Sequence, residues 1–189
     1  IGDVFDGSVF AYEALVRGTG GESAWSVLSQ VNEQNRYSFD QVCRVKAVKL
    51  AARLGMKAML SINFMPNAVY QAEYCIRTTP AAAKTYNFDT RKIIFELTEG
   101  EDLSSVDHLV SIIKAYQGMG LSTAIDDFGA GHAGLGLLVK FQTDYIKLDM
   151  ALIRGLDGCL PQRKVVDGVV RMARSLGIGV IAEGIETAE

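Results

Sequence analysis

Apolar positions in this chain fall into two kinds of run that take turns. One kind is short, continuous and rich in β-branched residues, as strands covered on both faces are. These runs are Val9 to Val16 (VFAYEALV), Ala58 to Asn63 (AMLSIN), Ile93 to Leu97 (IIFEL), the stretch ending at Asp126-Asp127, Tyr145 to Leu148 (YIKL) and Val180 to Ala182. The other kind repeats every three or four residues, which is helical spacing. It predicts helices over Ser38 to Leu54, over Ser104 to Met119, through Leu135 and Leu138, and over Gln162 to Leu176. Ser38 reads as an N-cap, and Gly55, Gly120 and Gly177 read as stops. Pro80 suits the first turn of a short helix that runs through Tyr86.

Strand followed by helix throughout implies a parallel sheet with crossover helices. An open doubly wound sheet usually carries a nucleotide fingerprint after its first strand, and none stands here. A (β/α) barrel fits better, because functional groups in such barrels sit at the C-terminal ends of many strands. Here those ends carry Glu13, Asn63, Glu96 with Glu99, Asp126 with Asp127, Lys147 with Asp149, and Glu183 with Glu186. The strands found number fewer than the eight of a closed barrel. The chain also stops at Glu189, just after a strand. The expectation is an excerpt truncated at both ends.

Composition narrows the reading. With 189 residues, 49% of them hydrophobic, the chain can bury one sizeable core. A net charge of −3 argues against a binder of polymeric nucleic acid, which needs a basic face. Cys43, Cys75 and Cys159 are widely spaced and form no CxxC pair, so neither zinc nor a disulfide framework is expected. Buried reduced thiols in a cytoplasmic protein are the expectation. No apolar run reaches transmembrane length, and the first residues are not a signal peptide.

Any one strand-end polar group has a plain explanation. Glu13 suits a solvated edge, Asn63 a turn before Pro66, Glu96 a lysine partner, and Lys147 a surface lysine. Parallel strands would bring all of them to one rim. Several carboxylates and an amide there repel one another without a cation, and oxygen donors favour Mg²⁺ or Mn²⁺ over zinc. The two histidines, His108 and His132, are too few for a histidine-based centre. Several acids with one lysine suit phosphodiester cleavage at one or two divalent ions. The glycines after Asp127 let the backbone move, and Arg17 can fork onto a phosphate.

Together these segments resemble the EAL domain family. Tyr12-Glu13-Ala14-Leu15-Val16-Arg17 holds the naming tripeptide. SINFMPNAV from Ser61, ELTE from Glu96, AIDDFGAG from Ala124, DYIKLD from Asp144 and IAEGIET from Ile181 follow in the family's order. The resemblance implies a bacterial phosphodiesterase that hydrolyses cyclic di-GMP to linear pGpG with Mg²⁺ or Mn²⁺. It implies a TIM-like barrel with an antiparallel first strand, spanning 1–189 and lacking the first and last barrel strands. It makes Glu13, Asn63, Glu96, Asp126, Asp127 and Glu183 metal ligands, with Glu13, Lys147, Asp127 and Glu183 catalytic. Lys147 would orient and acidify the attacking water. Arg17, Leu15 and Asn63 would bind substrate, and Glu99 and Glu186 would support the site. A sensor domain in the full-length protein and a homodimer are implied as well.

Two other readings stay open. A catalytically silent module could bind cyclic di-GMP or dock a partner, although members of that kind usually lack several ligands and none is missing here. A lysine-dependent aldolase would use Lys147 as a Schiff-base former, but that lysine would have to be neutral among acids.

Overall fold

Six short strands alternate with helices along the chain. The computed structural model describes residues 1–65, 72–98, 106–131 and 134–185, with the backbone alone at 72–76, 106 and 108. Their order is β1 (Ala11–Ala14), α1 (Ala24–Leu28), α2 (Arg36–Arg53), β2 (Met59–Asn63), α3 (Ala72–Thr85), β3 (Ile93–Thr98), α4 (Val106–Gly118), β4 (Ser122–Phe128), α5 (Gly134–Lys140), β5 (Tyr145–Leu148), α6 (Met150–Ile153), α7 (Leu160–Ser175) and β6 (Gly179–Ala182). The chain divides into two units: Ile1–Phe95 with Leu103–Leu121, and Glu96–Asp102 with Ser122–Glu189. Among the described residues no helix is long and apolar enough to cross a membrane.

In the first unit the strands are ordered β1-β2-β3. β1 and β2 pair in parallel, with Glu13 opposite Ser61. The antiparallel first strand that the resemblance implies is not confirmed: among the described strands β1 is parallel to its neighbour at every paired position. The reason lies in the connection. α2 spans 18 residues between β1 and β2, and a crossover of that kind brings the chain back to run in the same direction. An isolated antiparallel bridge joins Gly2 and Val9 outside the strands. The core of this unit is Val48, Ala51, Leu60, Ile62, Ile94, Phe95, Ile112 and Ile113, each almost fully buried.

In the second unit the order runs from the end of β3 through β4, β5 and β6, and β4·β5 and β5·β6 are parallel. Ala124, Ile125, Phe128, Leu137, Leu138, Ile146 and Leu148 form its core.

Three helices end in one way. After α2, Met56 N–H bonds Ala51 O and Gly55 N–H bonds Ala52 O; Leu121 with Gly120 and Ile178 with Gly177 repeat the pattern after α4 and α7. Gly55, Gly120 and Gly177 all have positive φ, the left-handed conformation such a cap requires. The glycine stops expected from the sequence are thus in place.

Other boundaries shift. α2 starts at Arg36 with Asn35 as N-cap, and Ser38 sits inside it with its hydroxyl donating to Asn35 O at 3.0 Å. Pro80 lies in the interior of α3 and not in its first turn. An interior proline removes one hydrogen bond to the preceding turn. Burial of Thr79, Ala82 and Ala83 around it offsets that loss. α1 and α6 are too short to show a period. They are recognisable by their caps: Ser23 Oγ accepts from Ser26 N, and Asp149 Oδ1 accepts from Ala151 N.

Candidate metal and phosphodiester site

The second unit concentrates the chemistry at the C-terminal ends of its strands. Lys147 on β5 is 1% exposed. Its ammonium lies 3.1 Å from Glu96 Oε2 on β3, 2.8 Å from Asp126 Oδ1 on β4 and 2.8 Å from Glu183 Oε1 just after β6. An ammonium has three protons to donate, and three carboxylates meet it. Burial by itself would push Lys147 down; the Glu96 charge and the hydrogen bonds to Asp126 and Glu183 outweigh it, so the lysine is held protonated. A neutral Schiff-base lysine does not fit this environment.

Asp126 and Asp127 are neighbours in sequence, so in a regular strand they would face opposite sides. The strand is not regular there. Ile125 pairs with Ile146 and Phe128 with Leu148, leaving two residues of β4 opposite Lys147 alone. Asp127 absorbs this bulge with φ +53°, a left-handed conformation that a non-glycine residue adopts at some cost. As a result, carboxylate oxygens of Asp126, Asp127 and Glu183 all lie within 4.8 Å of one another. Burial, then the charges of Asp126, Glu183 and Asp149, push the Asp127 carboxyl up, against the pull of Lys147. Asp149 thus caps α6 and adds to the field on Asp127, a double duty that its position after a strand did not reveal.

One ammonium therefore faces three carboxylates, and Asp127 adds a fourth. Two like charges about 4 Å apart repel by roughly 4 kcal/mol at an effective dielectric of 20. The cluster lacks positive charge, and its donors are all hard oxygens at close range. That set fits Mg²⁺ or Mn²⁺.

In the first unit, Asn63 at the end of β2 donates its amide N–H to Glu13 Oε1 on β1 at 2.8 Å. With Nδ2 given to Glu13, the Asn63 Oδ1 atom is the one with ligand chemistry. Leu15 is 56% exposed, and the exposed Arg17 donates to the carbonyl of Val16. Glu99, Glu186, His132 and Pro66 lie outside the described residues.

The fold and the carboxylate cluster define an α/β protein with a parallel sheet and an acidic, cation-seeking strand end. The chain matches the EAL domain model over residues 1–189 and belongs to that family. It is 31% identical over 182 residues to the blue light- and temperature-regulated antirepressor BluF of Escherichia coli, covering 96% of this chain and 45% of that protein. It is 31% identical over 129 residues to the cyclic di-GMP phosphodiesterase PdeF of the same species, covering 68% of this chain and 17% of that protein. Among solved structures it superposes on a standalone versatile EAL protein from Vibrio cholerae O395 in its c-di-GMP-bound form. That match has a TM-score of 0.91 and 50% identity, over 96% of this chain and 76% of that one. A manganese/cy-diGMP complex of Klebsiella pneumoniae BlrP1 superposes with a TM-score of 0.85 and 34% identity, over 96% and 46%. The chain spans less than half the length of these two curated relatives.

Proposed function

We propose that this chain is the catalytic domain of a cyclic di-GMP phosphodiesterase that forms linear pGpG and depends on Mg²⁺ or Mn²⁺. The observation that carries the reading is the convergence of Asp126, Asp127 and Glu183 around a lysine already saturated with carboxylates. PdeF is named for this activity, and the two solved relatives hold the nucleotide, one of them with manganese.

Asp126, Asp127, Glu183 and Glu96 are the second unit's ligands in this proposal, and the family resemblance adds Glu13 and Asn63. A divalent ion held there would neutralise phosphate charge and lower the pKa of water. The chain's own residues do the rest. Lys147 stays charged and fixes the three carboxylates, and through them the place of the attacking water. Asp127, whose carboxyl is pushed up, takes the water's proton on a carboxylate oxygen. The water oxygen forms a bond to phosphorus, the P–O3′ bond breaks, and the 3′ oxygen leaves as a hydroxyl by taking up a proton in place of the one Asp127 removed, which resets the carboxylate. That leaves a 5′-phosphate on one end of pGpG. Arg17 and Leu15 contact the substrate, and Glu99 and Glu186 support the ligands.

The test is incubation of the full-length protein with cyclic di-GMP and Mn²⁺, followed by chromatography of the nucleotides. Accumulation of pGpG that stops with EDTA and in Asp126→Asn is expected. No pGpG in the presence of Mn²⁺ overturns the reading. A second reading, a silent partner-docking module, is favoured by one observation: BluF, matched over 96% of this chain, is named an antirepressor. Nucleotide binding by calorimetry without turnover selects it.

A further inference from the structure

The first unit contains a buried ion pair that the proposed chemistry does not use. Asp40 and Arg44 lie one turn apart on α2 and are 4% and 1% exposed. Arg44 Nε and Nη2 meet Asp40 Oδ2 at 2.9 Å and 2.7 Å. Arg44 Nη1 donates to Thr79 Oγ1 on α3 at 3.0 Å and to the Tyr116 hydroxyl on α4 at 3.2 Å. The guanidinium also stands 5.8 Å from the centre of the Phe95 ring on β3. One side chain thereby ties three helices to a strand.

The other oxygen of Asp40 looks elsewhere. Asp40 Oδ1 accepts the backbone N–H of Met65 at 3.3 Å. Met65 is two residues past Asn63, and the residue between them is anchored as well. Phe64 is 3% exposed and packs edge-on against Tyr116, ring centres 5.8 Å apart, and against Phe95 at 5.9 Å. Tyr116 is the same ring whose hydroxyl receives Arg44. The backbone leaving β2 is therefore clamped by Asp40 at Met65 and by the aromatic cluster at Phe64. Burial pushes the Asp40 carboxyl up, and the Arg44 charge and the Met65 amide pull it part of the way back.

We infer that Asp40 and Arg44 are a positioning pair for Asn63: they fix the chain just past β2 so that Asn63 keeps its amide on Glu13 and its carbonyl oxygen ready for a divalent cation. This rests on the metal-dependent reading of the site. A buried ion pair is weak evidence of stabilisation for its own sake, because desolvation offsets its attraction. A pair that spends one carboxylate oxygen on a backbone amide beside a ligand has a geometric task. Loss of a group that orients a metal ligand typically costs about 10- to 100-fold in metal affinity.

The experiment compares the full-length protein with Asp40→Ala and with the double variant Asp40→Ala/Arg44→Met, which leaves no buried charge behind and takes away the acceptor of the Met65 N–H. Tyr116→Phe serves as a control that removes a partner of Arg44 but leaves Asp40 on Met65. Two readouts are taken on each: Mn²⁺ affinity by calorimetry without nucleotide, and hydrogen exchange at the Met65 amide. The double variant is expected to bind Mn²⁺ about tenfold more weakly and to exchange Met65 faster. Tyr116→Phe is expected to lower thermal stability with Mn²⁺ affinity unchanged. A folded double variant with wild-type Mn²⁺ affinity overturns the inference, even if Met65 exchanges faster. Mn²⁺ binding by the wild-type protein without pGpG formation overturns the phosphodiesterase reading alone, and the affinity ratio still decides the role of the pair.

Discussion

The two buried cations among the described residues keep different company. Arg44 meets one carboxylate, a hydroxyl from Thr79 and a hydroxyl from Tyr116. Lys147 meets three carboxylates, with Asp127 as a fourth close by. The first arrangement is balanced in charge and acts as a clamp. The second gathers more carboxylates than the lysine can match, the excess that the proposed cation would offset. The difference shows how to tell a structural ion pair from a ligand site without seeing the ligand: count the charges a buried group faces, not the bonds it makes.

Removing each cation in turn is the strongest way to break this contrast. Lys147→Met and Arg44→Met should each lose about 3–5 kcal/mol in urea unfolding under EDTA, because each leaves a buried carboxylate unpaired. Mn²⁺ should then restore more stability to Lys147→Met than to Arg44→Met, since only the first has carboxylates arranged to receive it. Equal recovery in both would erase the distinction. Asp126→Asn should leave the fold intact while Mn²⁺ binding by calorimetry and pGpG formation fall below detection.

A smaller effect lies in the pH dependence. The Asp127 carboxyl is pushed above its ordinary value in the folded chain by burial and by Asp126, Glu183 and Asp149. Between the unfolded and folded values the folded state holds the extra proton, so stability under EDTA should fall as pH rises through that window. Asp127→Asn should flatten the fall when unfolding is followed from acid to neutral pH. The mildest change expected is in Asp127→Gly, which frees a left-handed φ of +53°. It should gain about 1 kcal/mol in unfolding free energy while binding Mn²⁺ less tightly.

Much of the architecture was legible in the residues. Buried β-branched runs mark β2, β3 and β5 to within a residue, because a strand covered on both faces tolerates little else. Gly55, Gly120 and Gly177 mark helix ends for a backbone reason that no other residue meets as well. Pro80 misled because proline's local preference yields where tertiary burial is sufficient. The carboxylates at strand ends were legible as a set, and the structure gathers Glu96, Asp126 and Glu183 on Lys147 and joins Glu13 to Asn63. The bulge was not legible, because residue types do not announce an extra residue in a strand. Nor was the role of Asp40 with Arg44: acid and base one turn apart is the spacing of any solvated helix pair, and spacing carries no record of burial.

The bulge in β4 has a consequence for how this chemistry can change over time. The hydrogen-bonding ladder between β4 and β5 needs a single residue opposite Lys147, and the chain supplies two. Deleting Asp127 outright would let the pleat close up with Phe128 still beside Leu148, giving a smoother sheet with one acid in place of a tandem. Under the proposed function, loss of activity by deletion at this point is a downhill step for the scaffold, opposed by selection on the reaction.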